Sequence, residues 1–207
     1  MTPFRNINLL DWTLVACLIP LFWLSSDIVF DHLGANPIQA LEIRLGDWSL
    51  RFLCMTLAIT PIQIVTKWRG MTEYRRLFGL YTFFYATLHV TAYFLVDHAL
   101  AWRIIAVDIV QSSYIWFGLV TYIIIFLLAI TTHKSAKRGM GKSWKKLHRL
   151  IYLSSFTAMM HYFWQLKGNL VQPFLYLILI LFLLAFRIID RRKDRQLNPI
   201  LIPKSRE

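Results

Sequence analysis

Six long apolar runs divide the chain, approximately Leu10 to Ser25, Leu50 to Thr66, Leu77 to Val96, Tyr114 to Ile130, Leu150 to Leu166 and Pro173 to Ile189. Each is near the ~20 residues an α-helix needs to cross a bilayer core. Lipid offers backbone polar groups no water, so such runs fold as helices. An apolar fraction of 57% against 16% charged residues, with mean hydropathy +0.50, argues against a water-soluble domain of 207 residues. The sequence predicts an all-α membrane protein: a six-transmembrane-helix bundle forming a single domain over 1–207. The first run lacks a small-x-small exit and five runs follow it, so it reads as a span rather than a cleavable signal.

Charge sets the expected orientation, because Lys and Arg in short loops stay on the cytoplasmic side. Arg5 precedes the first run, and Lys67, Arg69, Arg75 and Arg76 separate the second from the third. Lys134, Lys137, Arg138, Lys142, Lys145, Lys146 and Arg149 separate the fourth from the fifth, and Arg187, Arg191, Arg192, Lys193, Arg195, Lys204 and Arg206 close the chain. That assigns 19 of 23 basic residues to one side and leaves Arg44, Arg51, Arg103 and Lys167 for the other. Both termini are therefore expected in the cytoplasm. The net charge of +12 is accounted for by topology and contact with anionic membrane lipid, and no nucleic-acid-binding motif is found.

Cys17 and Cys54 both fall in apolar runs, so neither a disulfide framework nor a CxxCH haem attachment is available. No GxGxxG or Walker A motif occurs, and electrons for any redox role would come from a partner or a membrane-soluble donor. The outer connections are less basic: Asp27, Asp31, Glu42 and Asp47 mark the first, with Gly34 and Pro37 favouring turns. The segment Asp97 to Val110 mixes Trp102, Ile104, Ile105 and Val107 with Asp97, Arg103 and Asp108. It reads as a short amphipathic helix on the outer interface, shielding a cofactor site or docking a partner, or as an interfacial loop without consequence.

Depth decides which histidines can meet. At 1.5 Å per residue, His89 lies about 20 Å from Arg76 and His161 about 22 Å from Lys146. An imidazole within a membrane is costly unless it ligates or hydrogen-bonds, and two at one depth on different helices suit a six-coordinate haem held without covalent attachment. Satisfied polar pairs or a proton path are the alternatives. Gly79, Thr82, Ala86 and Ala92 near His89, and Ser154, Thr157 and Ala158 near His161, leave room for a porphyrin or equally for close helix packing.

His148 sits at the inner mouth of the fifth run among Lys145, Lys146 and Arg149. It is about 20 Å from His161 along an ideal helix, but about 140° away around its axis, so the two share a channel only with an irregular first turn. The matching level of the third run carries Arg75 and Arg76 and no histidine, so a second haem lacks an obvious axial partner. Those arginines are topology charges, or donors to haem propionates or to the phosphate of a flavin mononucleotide (FMN). His32, His98 and His133 are expected to be exposed and outside any ligand cluster. Met159 and Met160 read as packing residues.

Longer segments carry a resemblance: Ile59-Thr60-Pro61; Arg75-Arg76-Leu77-Phe78-Gly79-Leu80; Thr87-Leu88-His89; Gly139-Met140-Gly141-Lys142-Ser143-Trp144-Lys145-Lys146-Leu147-His148-Arg149-Leu150-Ile151-Tyr152; and His161-Tyr162. Over essentially its whole length the chain resembles the bacterial MsrQ (YedZ) family within the ferric-reductase-like transmembrane superfamily. The resemblance implies a haem b protein passing electrons across the inner membrane to a periplasmic molybdopterin enzyme, MsrP, which reduces methionine sulfoxide in oxidised proteins. It matches His89, His148 and His161 to three haem-associated, metal-binding histidines, and Arg75 and Arg76 to inner-end arginines near a flavin mononucleotide. The superfamily usually has four haem histidines in two pairs, and this chain departs from that at the inner site, leaving one or two haems. The quinone pool or a cytosolic flavin reductase is the implied electron source. The residues themselves leave open a ferric reductase, a cytochrome b subunit serving another acceptor, and a non-redox scaffold or transporter.

Overall fold

The computed structural model describes residues 9–68, 70–165 and 170–197, with backbone only for 188 and 190–197. Arg5, Arg69, Lys167, Lys204, Arg206 and both termini lie outside the described residues, as do the side chains of Arg191, Arg192, Lys193 and Arg195. The described chain is all helical, as expected. Its helices are α1 (Leu9–Ala16), α2 (Ile19–Val29), α3 (Pro37–Thr66), α4 (Met71–Thr91) with a π-helical extension (Ala92–Asp97), α5 (Trp102–Gln111), α6 (Ser113–Ile130), α7 (Lys134–Met140), α8 (Lys142–His148), α9 (Ile151–Gln165) and α10 (Val171–Leu197).

The first apolar run is broken at Cys17–Leu18. Pro20 has no N–H, so the carbonyl four residues earlier loses its helical donor and the chain steps between α1 and α2. At the step Leu18 N–H turns to the Val15 carbonyl and Leu21 N–H to that of Leu18, and tyrosines of α4 supply the two carbonyls so passed over: Tyr81 Oη donates to that of Leu14 at 2.8 Å, and the fully buried Tyr85 to that of Cys17 at 2.9 Å. A second proline, Pro61, lies inside α3 and deprives the Leu57 carbonyl in the same way. There the replacement donor is Arg187 of α10, at 2.8 Å.

α3 extends well beyond the predicted second span. It starts at Asn36, whose Oδ1 accepts from the Gln39 N–H at 3.2 Å, with Pro37 at the first helical position, and runs for 30 residues. Glu42 and Asp47, expected in a loop, therefore lie on a helix. Arg51 pairs with Asp47 one turn away and Arg44 pairs with Asp27, whereas Glu42 keeps a buried Oε1 without a hydrogen-bond partner. The basic segment after α6 also folds, as two short helices joined at Gly141, whose φ of +51 favours glycine.

Four of the described spans are long and apolar enough to cross a membrane: Leu9–Val29, Pro37–Thr66, Met71–Asp97 and Ser113–Ile130. Six spans were expected, and by length and composition these four of the described helices qualify. The apolar part of α10, Val171–Arg187, is shorter, and α9 has 15 residues because the chain turns at Arg149–Leu150 before it. α3 packs on α4, α6 on α9, and α10 on α3 and α9. Leu53, Leu57, Met159, Ile180 and Leu183 form one core, and Cys17, Leu24, Leu45, Phe52 and Tyr85 another. Many large apolar side chains remain outside, among them Phe22, Trp23, Ile123, Leu175 and Phe182, an exterior suited to lipid.

Candidate functional site between two imidazoles

His89 on α4 and His161 on α9 face one another in a cavity bounded by α3, α4, α6 and α9, with ring centroids 6.1 Å apart and planes at 76°. Two imidazoles on one transition-metal ion, with bonds of ~2.0 Å and ring centres about 1 Å further back, stand about 6 Å apart. Each ring is held by its Nδ1–H: His89 donates to the Glu42 carbonyl at 2.9 Å and His161 to that of Tyr114 at 2.8 Å. A carbonyl only accepts, so each neutral ring carries its lone pair on Nε2, the arrangement expected of a metal-binding histidine. Among the described residues no group of three or more His, Cys, Asp or Glu could hold a bare ion. Two opposed imidazoles in a cavity with a largely apolar wall would suit a haem.

The two halves are built alike. Each histidine lies 47 residues after its carbonyl acceptor. Four residues beyond each acceptor comes a glycine facing the same ring, Gly46 for His89 and Gly118 for His161. A Cβ on Gly46 would meet His89 at 3.5 Å, whereas one on Gly118 would lie 2.9 Å from His161 Nδ1. Glu42, Gly46 and His89 become Tyr114, Gly118 and His161 at a constant offset of 72 positions (89 to 161). At that offset Thr82-x-Phe84-x-Ala86-x-x-His89 recurs as Ser154-x-Phe156-x-Ala158-x-x-His161. A search for internal repeats would have found both glycines.

His148 does not line this cavity. Its ring stacks on Trp144 with centroids 4.0 Å apart, and its Nε2 lies 3.2 Å from Thr131 Oγ1 at the C-terminal end of α6. Burial pushes its pKa down, favouring the neutral ring. The chain turns at Arg149–Leu150 between His148 and His161, while only His161 lines the cavity. Arg75 and Arg76 diverge: Arg76 is exposed, whereas Arg75 turns inward, with an Nη 3.4 Å from Gln63 Oε1 and a buried, unpartnered Nε.

His98 corrects a further expectation. Its side chain is only 12% exposed, with Nδ1 3.2 Å from Asp97 and Nε2 3.6 Å from Asp108. Tyr93 Oη and Ser112 Oγ also donate to Asp108, at 2.8 and 2.9 Å. Tyr93, Asp97 and Asp108 of this polar cluster also line the cavity, which ties α5 to its edge. Ile105 of α5 is buried while Trp102, Ile104, Val107 and Val110 are exposed, which matches the amphipathic helix expected there. His98 was not legible as a partner because Asp108 reaches it only once the π-helical extension folds back.

Residues 45–159 match the family described as ferric reductase like transmembrane component. The chain is 36% identical to a protein of Polaromonas naphthalenivorans over 84% of this chain and 81% of that relative. It is 37% identical to one of Rhodospirillum rubrum over 88% of each, and 37% identical to one of Herminiimonas arsenicoxydans over 90% of this chain and 87% of the relative. All three relatives are named protein-methionine-sulfoxide reductase heme-binding subunit MsrQ.

Proposed function

The chain belongs to the ferric reductase-like transmembrane family and, within it, to the MsrQ haem-binding subunits, and from that premise we propose that it is a haem b electron-transfer subunit of the bacterial inner membrane. Its acceptor in this reading is a periplasmic MsrP-like molybdopterin enzyme that reduces methionine sulfoxide, so that sulfur chemistry takes place on the partner. The observation that carries the proposal is the facing pair His89 and His161, 6.1 Å apart and each oriented by a main-chain carbonyl.

Bound haem supplies a one-electron carrier whose ligation need change little between its two oxidation states. His89 and His161 would hold it through their Nε2 atoms. The Glu42 and Tyr114 carbonyls fix their tautomers, Gly46 and Gly118 leave room for the rings, and Leu50, Leu53 and Ile125 help keep water from the cavity wall. His148 serves an inner site of different construction, for a second haem or for electron entry, without a histidine opposite. Arg75 and Arg76 act at electron entry on the inner side, where FMN is the proposed flavin and the quinone pool or a cytosolic flavin reductase the donor. In the same reading α9 and α10 complete six spans of a single domain, and both termini are cytoplasmic, an arrangement supported by the distribution of Lys and Arg.

The test is a reduced-minus-oxidised spectrum of the detergent-purified chain with haem quantification, followed by addition of the periplasmic reductase and a methionine sulfoxide substrate. A b-type spectrum that reoxidises only when both are present is expected. A chain without a Soret band would reject the haem reading. A stable reduced spectrum in the presence of enzyme and substrate would point to another acceptor.

A further inference from the structure

The cavity between the imidazoles is lined twice over by one pattern. At the offset of 72 positions that relates His89 to His161, Ser49 pairs with Thr121, Leu53 with Ile125 and Ala86 with Ala158, and all of these line it. α5 falls between the two copies in sequence and departs from the pattern. It brings Asp108 and Ile109 to the wall, whereas Asn36, Pro37, Ile180 and Leu181, the positions 72 before and after them, are not part of it. α5 is therefore an added piece of wall, laid along one edge of a site that the two copies build.

Its fastening is mainly polar. Ile105 is the buried residue of α5, and one apolar side chain holds a helix only weakly. The rest is a clasp around His98. Asp108 accepts from Tyr93 Oη at 2.8 Å on one oxygen and from Ser112 Oγ at 2.9 Å on the other, as suits a carboxylate. From the turn before α5, His98 reaches both sides, with Nε2 3.6 Å from Asp108 and Nδ1 3.2 Å from Asp97 of the π-helical extension. The chain then passes through Ala99 and Leu100 at φ of +45 and +58, a conformation that such residues keep only where contacts on either side fix it. A helix held in this way opens before the apolar core does.

We propose that α5 is a lid: haem enters and leaves the cavity past this helix, and the His98 clasp keeps it closed. The inference rests on the haem reading of the cavity. His98 and Ser112 do not line the cavity, so replacing them acts on haem through the position of α5.

The test follows haem exchange of the full chain in maltoside micelles, as loss from the haem-loaded protein to excess apomyoglobin and as uptake of haemin by the protein so emptied. His98→Ala should speed both by at least about tenfold, the rate equivalent of losing one hydrogen bond to a charged group. Ser112→Ala should speed both by less, and it carries the test if His98→Ala does not assemble. Starting spectra should match the wild type, because His89, His161 and their carbonyl partners are untouched. Amide exchange should quicken over 99–111 and not over α9. Tyr85→Phe, which loosens the α1–α2 step instead, is the control and should leave uptake at the wild-type rate. A wall with no gating role gives faster loss without faster uptake. That result, or wild-type rates in both directions in the clasp variants, overturns the lid. A wild-type chain without a Soret band would instead overturn the haem reading beneath it.

Discussion

Gly46 and Gly118 flank the two facing imidazoles, yet adding one methyl group to each should have opposite effects. At Gly46 the new Cβ would sit at ordinary contact distance from His89, and replacing a helical glycine by alanine stabilises by about 1 kcal/mol. At Gly118 it would lie 2.9 Å from Nδ1 of a ring already bonded to the Tyr114 carbonyl, so the ring must leave that bond. Overpacking of this kind costs about 1–3 kcal/mol and outweighs the gain in helix propensity. Gly46→Ala should therefore keep haem content and melting temperature at or above wild type. Gly118→Ala should lower both, and equal haem retention in the two variants would refute this account of the glycines. The histidines themselves were legible from sequence, because matched depth in apolar runs is a one-dimensional property. The glycines were not, since a helical glycine has several readings until the partner ring is in place.

Two prolines interrupt helical hydrogen bonding, Pro20 beside the step between α1 and α2 and Pro61 inside the continuous α3, and distant side chains donate to carbonyls left free there. Tyr85→Phe removes the donor to the buried Cys17 carbonyl while keeping the ring, so it isolates one hydrogen bond. Leaving that carbonyl unsatisfied should destabilise the chain by about 1–3 kcal/mol. The loss should appear as faster amide exchange around Cys17 and Leu18, with haem absorbance retained. Unchanged exchange there would mean that the step between α1 and α2 does not depend on α4. Sequence could mark Pro20 and Pro61 as interruptions, but not that Tyr85 and Arg187 answer them, 65 and 126 positions later (20 to 85, 61 to 187). The outer half of α3 was hidden for a related reason. Glu42, Arg44, Asp47 and Arg51 interrupt its apolar pattern, and the charges of Arg44, Asp47 and Arg51 become tolerable through the pairs Arg44 with Asp27 and Arg51 with Asp47.

For the molecule as a whole, lipid-facing apolar side chains and one-sided charge make orientation the property to test. Cys17 and Cys54 are both buried, so a new surface cysteine can be read against them. In intact spheroplasts a membrane-impermeant maleimide should label Ala35→Cys in the outer connection and leave Ser143→Cys in the basic segment untouched. Labelling in the reverse order would invert the topology. The apolar runs were legible because lipid imposes a length and a composition on each span. The shortness of α9 was not, since it depends on how the chain turns at Arg149 and Leu150. The paired halves around His89 and His161 bring together helices far apart in sequence, and the central claim rests on their meeting. Its most direct test is the haem content and absorption spectrum of membrane-inserted His89→Ala and His161→Ala. Each variant is predicted to lose the haem held between these residues while the protein still inserts; wild-type haem content and an unchanged spectrum in both would contradict it.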